Sequence, residues 1–317
     1  MRKLLFVTPH LSTGGLPQYL LKKIEYFKDQ FEVYLIEYQD LSWEFVVQKN
    51  KIKQLIPPTR FATLGPDKSQ LLNYIESWKP EIIHFEEIPE GFIDDSILFP
   101  IFEKKDRGYF ILTTTHSSHT DPSTLTTYPD KFILVSEWSK NRFESVVDTP
   151  CGVWEYPIED LTPEKVKYKD ELDFNPEYKH ILNVGLFTPG KNQGELFELA
   201  KELGEYPFIF HFVGNQAGNF HDYWDPLMRS KPNNCKVWGE RNDVDKFLQA
   251  ADLFYFSSKL ELNPLVVKEA LSYKLPIFMY KLPTYLNQYD NNNLVTYLNG
   301  NITDKKNLIL KHFGYDL

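Results

Sequence analysis

Short apolar runs bounded by turn residues alternate along this chain with longer segments of helical period, and the alternation runs twice. Such a pattern calls for parallel sheets covered by helices, because strands buried on both faces read as near-continuous apolar runs. The first series predicts strands at residues 4–8, 32–36, 81–85, 109–113 and 131–136, and helices at 18–27, 68–78 and 138–146. The sequence between Asp40 and Pro66 is uninformative. Residues 158–179 are polar, charged and broken by Pro163 and Pro176, and read as an interdomain connector leading into the second half. The second series predicts strands at 180–184, 209–213, 236–238, 253–256 and 276–279, and helices at 194–203, 244–251 and 264–271. The 317 residues are comfortable for two αβ domains, placed at 1–160 and 161–300. Ligands are expected in a cleft between them, at the carboxyl ends of strands. Residues 301–317, with one helix, are expected to dock back on the first domain.

Composition narrows the function classes. A formal net charge of -9 offers no basic stripe for a nucleic-acid backbone. The only cysteines, Cys151 and Cys235, lack C-x-x-C spacing, so neither a disulfide framework nor a zinc site is indicated. The opening apolar run soon meets Pro9 and Gly14, too early for a signal peptide, and no segment approaches a membrane span. A soluble, cytoplasmic protein with at most peripheral membrane contact is expected.

Chemistry concentrates in residues 257–271, Ser-Ser-Lys-Leu-Glu-Leu-Asn-Pro-Leu-Val-Val-Lys-Glu-Ala-Leu. Asn263-Pro264 suits a helix start, since a proline there forfeits no intrahelical bond. The free N–H groups of that first turn can bind a polar or anionic ligand. Glu269, further inside, can accept paired hydrogen bonds from a sugar diol. The plainer alternative makes Glu261 a loop carboxylate and Glu269 a solvated helix residue, and spacing alone does not separate the two.

The segment resembles the E-x7-E signature of retaining GT-B glycosyltransferases of the large family four, also known as glycosyl transferases group 1. The resemblance implies two Rossmann-like domains facing each other across a cleft. It implies that Glu261 faces a donor sugar, that Asn263, Pro264 and Leu265 hold sugar hydroxyls, and that Glu269 holds the nucleotide ribose. Residues 183–193, Asn-Val-Gly-Leu-Phe-Thr-Pro-Gly-Lys-Asn-Gln, are similar to the family's V-G-R-x-x-x-x-K loop. By that likeness Gly185 ends a strand, and Lys191 and Asn192 face the donor diphosphate; a lysine is a compact charge suited to phosphate oxygens. Leu186 stands where the family has arginine. Gly214, in Phe212-Val213-Gly214-Asn215, resembles the glycine beneath the nucleotide, and Arg241 and Asn242 fall in a loop similar to the one that reads the base.

In the first half, Ser12-Thr13-Gly14-Gly15 lets backbone approach a ligand closely. In the family this loop faces donor and acceptor, which implies such contacts for Gly14 and Gly15. His116, after a buried strand, resembles the histidine that touches the donor sugar, whereas His119 reads as an ordinary loop residue. Ser136 reads as a structural helix cap. The likeness implies a retaining transferase that moves a sugar from a nucleotide sugar to a glycan or lipid-linked acceptor, with no cofactor. The alternatives are a sugar phosphorylase, a nucleotide-sugar epimerase, or a weakened glycosyltransferase-like binding protein, the last suggested by Leu186. No metal is expected: Asp243-Val244-Asp245 opens a helix, with Asp243 as its cap and Asp245 in its first turn.

Overall fold

The computed structural model describes residues 1–12, 14–41, 47–103, 107–216 and 220–316. They form two compact units, Met1–Tyr156 and Pro157–Leu317. The first contains β1 (Arg2–Thr8), α1 (Gly15–Phe27), β2 (Phe31–Glu37), α2 (Val47–Leu55), β3 (Phe61–Thr63) and α3 (Gln70–Trp78). It continues with β4 (Ile82–Phe85), α4 (Asp95–Phe102), β5 (Phe110–Thr113), β6 (Lys131–Leu134), α5 (Glu137–Glu144) and β7 (Cys151–Val153). Its seven strands run in the order β3-β2-β1-β4-β5-β6-β7, with every pair parallel.

The second unit contains α6 (Lys165–Glu171), β8 (Lys179–Val184), α7 (Gln193–Glu202), β9 (Phe208–Val213), α8 (His221–Arg229) and β10 (Cys235–Val237). There follow α9 (Val244–Ala250), β11 (Leu253–Phe256), α10 (Leu265–Ser272), β12 (Ile277–Met279), β13 (Val295–Tyr297) and α11 (Ile302–His312). Its six parallel strands run β10-β9-β8-β11-β12-β13.

Strand periodicity explains why both sheets carry helices on two faces. Leu4 and Phe6 of β1 pack with Leu20, Leu21 and Ile24 of α1, while Leu5 and Val7 pack with Leu71 and Ile75 of α3 and Leu98 of α4. In the second unit Phe208, Phe210 and Phe212 meet Leu196 and Leu199 of α7, whereas Phe254 and Phe256 meet Phe247 of α9 and Val267 of α10. Strand order reverses beside β1 in the first sheet and beside β8 in the second. In open α/β sheets such a reversal, at the carboxyl ends of the strands, is where ligands generally bind.

Three sequence expectations change. Residues 158–179 are no loose connector: α6 lies inside them, and Leu172 and Phe174 enter the core with α9 and α10. Lys169 also binds Asp252 at 3.0 Å. The polar surface of that segment masks a few well-spaced apolar anchors. Residues 301–317 are likewise committed to the second unit's own core. Ile309 and Leu310 of α11 are buried with Phe208 and Phe278, behind an Asn301/Asp304 capping box. Between Asp40 and Pro66 the structure places α2 and β3, while residues 42–46 lie outside the described residues.

A chain of imidazoles fixes protonation states in the second unit. The Trp238 indole can only donate, and does so to His211 Nδ1 at 3.0 Å. His211 Nε2 therefore carries the proton it shares with His180 Nδ1 at 2.8 Å, and His180 Nε2 donates to the Asn175 carbonyl at 2.9 Å. Phe174 stacks on both rings, its centroid 4.4 Å from that of His180 and 4.1 Å from that of His211. Burial, with His180 and Lys236 beside it, pushes His211 down to about 2, and burial lowers His180 as well. The stability these neutral rings contribute is complete above the ordinary imidazole value of 6.5 and is lost as pH falls below it, because only the unfolded chain takes up the protons. The second unit should lose up to about 1.4 kcal/mol per histidine for each pH unit below that value. His211→Gln can make the same two hydrogen bonds without ionising. Its thermal unfolding, followed by tryptophan fluorescence, should fall less steeply with acid than the wild type's; equal slopes would contradict this assignment.

Candidate functional site

In the second unit the loops after β8 and β11 flank the reversal in strand order, and they are fastened to each other. Ser257 Oγ donates to the Lys191 carbonyl at 2.7 Å, and the Lys259 amide donates to the Gly190 carbonyl at 2.9 Å. This contact joins Lys191 to Glu261, whose side chains form an ion pair. Ser258 Oγ adds a second donor to the same Glu261 oxygen at 2.6 Å, and Thr284 Oγ1 holds the Glu261 carbonyl. The ammonium remains 34% exposed and the carboxylate 12%, so the pair sits at a surface that a ligand can reach.

Glycines shape the floor. Gly185 has φ 152°, and a Cβ there would touch the Lys191 methylenes at 3.6–3.8 Å, an ordinary contact distance. Gly214 has φ 144°, and its missing Cβ would lie 2.1 Å from the Gly185 carbonyl oxygen. The Gly214 amide also donates to the Gly239 carbonyl at 2.8 Å, so the loops after β8, β9 and β10 close on one another.

Asn192, in the left-handed conformation at φ 54°, precedes α7 and donates to Glu195 at 3.2 Å. Glu195 is buried and accepts also from Tyr255 at 2.7 Å, from Lys305 at 3.0 Å and from Tyr280. Three elements beyond the loop thus hold the start of α7. Asn263 and Pro264 precede α10, Leu265 opens it, and Glu269 is half-buried inside it.

Asp243 differs from expectation. Asp243 occupies the cap position of α9 but makes no side-chain cap bond; both its oxygens go to Arg241, each at 2.8 Å. A bidentate guanidinium pair outcompetes a single amide for that carboxylate. Arg241 is thereby anchored near the Trp238 and Phe247 rings, while Asn242 and Asp245 are exposed. Among the described residues no group of three or more His, Cys, Asp or Glu side chains could hold a metal ion.

The other candidates belong to the first unit. Gly14 has φ 109° and precedes α1, which Gly15 opens; among the described residues beyond its immediate chain neighbours and α1's own backbone, neither has a heavy atom within 4 Å of the position a Cβ would take, and Thr13 lies outside the described residues. His116 follows β5, with its amide on Glu87 at 2.9 Å and its ring edge-on to Tyr19 at 4.9 Å. Ser136 caps α5 through the Ser139 amide, as expected. Sequence reasoning passed over Lys23, His84 and Glu86, a buried polar group beneath His116. The available signal was a lysine among Leu20, Leu21 and Ile24 on the apolar face of α1.

Two Rossmann-like units with parallel sheets, and a ligand-ready loop pair at a reversal of strand order, define the GT-B class of glycosyltransferase folds. Residues 164–309 match the family described as Glycosyl transferases group 1. A curated relative, the processive diacylglycerol alpha-glucosyltransferase of Acholeplasma laidlawii, is 24% identical over 169 residues, 49% of each chain. The match thus spans about half the length of that relative. Solved structures extend the likeness over the whole fold. Anabaena Alr3699/HepE in complex with UDP and glucose is 16% identical with a TM-score of 0.79, covering 99% of this chain and 90% of that one. A glycosyltransferase from Rickettsia africae is 15% identical with a TM-score of 0.75, covering 99% and 89%. Among the described residues no helix is long and apolar enough to cross a membrane.

Proposed function

We propose that the chain transfers a sugar from a nucleoside-diphosphate sugar to an acceptor hydroxyl, with retention at the anomeric carbon and without a divalent metal. The observation that carries this reading is the pairing of Lys191 with Glu261 beside Gly185 and Gly214. A cation for the diphosphate and a carboxylate for the sugar stand together beside two glycines. In the reaction the bond from the anomeric carbon to the diphosphate oxygen breaks, and the acceptor oxygen bonds to the same face of that carbon. The acceptor proton passes to the departing phosphate. Lys191 and the amides opening α7 balance the charge that grows on the diphosphate, and that balance lowers the barrier. The family likeness assigns base reading to Arg241 and Asn242, and contacts with donor and acceptor to Gly14, Gly15 and His116.

Neighbouring structures crystallised with UDP or UDP-glucose support a uridine nucleotide as the first donor to try. The alpha-glucosyl product named for the Acholeplasma relative supports retention, and its diacylglycerol acceptor makes a lipid-linked acceptor the first to test. The second reading, a sugar-nucleotide binder of weakened activity, is favoured by Leu186 in place of an arginine. Release of UDP from UDP-sugars, measured with and without a lipid or glycan acceptor in excess chelator, separates the two. Acceptor-dependent release supports transfer, and saturable binding without product supports the binder. Activity restored only by added magnesium or manganese would overturn metal independence.

Glu269→Ala should weaken UDP binding by about 1.5–3 kcal/mol, because the ribose diol loses a charged acceptor. Titration calorimetry showing unchanged affinity would remove Glu269 from the site.

A further inference from the structure

The first unit buries a charged cluster that the transfer chemistry above leaves unused. Lys23 of α1 and Glu86, just beyond β4, are 1% and 0% exposed, and Lys23 Nζ lies 2.8 Å from Glu86 Oε1. The remaining ammonium protons face Thr114 Oγ1 at 3.3 Å and the Tyr19 ring at 4.6 Å. Thr114 Oγ1 gives its own proton to the Ile133 carbonyl at 2.7 Å and meets His84 Nε2 at 2.8 Å, while Lys23 Nζ lies 3.4 Å from the same ring nitrogen. Burial and the Lys23 charge push His84 down to about 3, so its ring is neutral. Burial alone would raise the Glu86 carboxyl, but the Lys23 charge and the hydrogen bond from His116 hold it far below the usual carboxylate range.

A buried ion pair gives little net stability, since desolvation offsets the attraction, and apolar replacements of similar size are often as stable. Its useful product here is a permanent carboxylate with one oxygen to spare. That oxygen, Glu86 Oε2, faces His116 Nε2 at 3.4 Å, while Tyr19 closes the ring's flank. Tyr19 is itself held by the Trp154 carbonyl.

We propose that Glu86 is a positioning residue that holds His116 as its Nε2–H tautomer, leaving Nδ1 as a lone-pair acceptor for a sugar hydroxyl. The sugar as ligand rests on the transferase reading; the tautomer rests on the contacts alone. A carboxylate facing Nε2 admits only a donor there, so the neutral ring must carry its lone pair on Nδ1. Partners of this kind behind a metal-bound imidazole typically change activity 10- to 100-fold, and a loss of the same order is expected here.

The test uses the full chain, with imidazole nitrogen NMR assigned by loss of the His116 signals in His116→Ala. Wild type should show His116 Nδ1 unprotonated and Nε2 protonated. Glu86→Gln should give a mixture of tautomers. The pair Lys23→Met with Glu86→Leu, which strands no buried charge, should give the same mixture in a folded protein. In both, turnover should fall roughly 10- to 100-fold while UDP affinity is unchanged. A wild-type neutral ring protonated at Nδ1, or an unchanged tautomer in the folded double variant, overturns the proposal. Full turnover in His116→Ala would instead overturn the sugar contact assigned to His116, and the tautomer data would still judge Glu86.

Discussion

Lys191→Ala should lower kcat on the order of 10²–10³-fold, with a smaller effect on donor KM. The ammonium opposes charge that is larger on the departing diphosphate than on the bound donor, so its removal raises the barrier more than it weakens binding. A second effect adds to the first. In wild type the lysine neutralises Glu261, and without it that carboxylate keeps the Ser258 hydroxyl and repels the incoming phosphates. Lys191→Ala with Glu261→Gln should therefore bind UDP more tightly than Lys191→Ala alone, a non-additive result expected of groups in contact. Lys191→Arg is no gentle control, since a planar fork does not replace a compact charge lying along Gly185. Steady-state kinetics and calorimetry on the three variants decide the matter. Near wild-type turnover in Lys191→Ala at saturating donor would place the diphosphate elsewhere.

Gly214→Ala should be the most damaging small substitution in the second unit. Its φ of 144° is one that side-chain-bearing residues rarely adopt, and the added methyl carbon would stand 2.1 Å from the Gly185 carbonyl oxygen. Both partners are backbone, so relief requires moving β8 or β9. The expected loss is roughly 3 kcal/mol or more, from conformational strain plus steric overlap. Urea unfolding should show a lower midpoint with unchanged slope. UDP affinity should fall as well, because the displaced carbonyl belongs to the residue on which Lys191 lies. Gly185→Ala meets only the flexible lysine stem at 3.6–3.8 Å and should be milder. Equal stability of Gly214→Ala and wild type would show that the loops do not close as tightly as these contacts require.

Local physics made much of the architecture legible in the sequence. A run such as Phe254-Tyr255-Phe256 has no polar face to give water, so as a strand it must be covered on both sides, and β11 is. Gly185 and Gly214 after apolar runs marked strand ends where the backbone turns, and Ser136 announced a cap. Weakly apolar elements escaped notice. In α6, α8 and β13 no residue is fully buried, so periodicity carries little signal.

What the sequence by itself determined, then, was the αβ repeat and the loops able to carry a ligand. Each follows from neighbours within a few positions of one another. What only the tertiary structure decided was which distant charges meet. Lys191 reaches Glu261 across 70 positions, Lys23 reaches Glu86 across 63, and Lys305 reaches Glu195 across 110. No local rule distinguishes such a lysine from a solvated one, because its partner is chosen by strand order: β8 lies beside β11 and β1 beside β4. Asp243 shows the same limit at short range. Its position in sequence suits a helix cap, yet the folded chain gives its carboxylate to Arg241, because two charge-assisted hydrogen bonds outweigh one to a backbone amide.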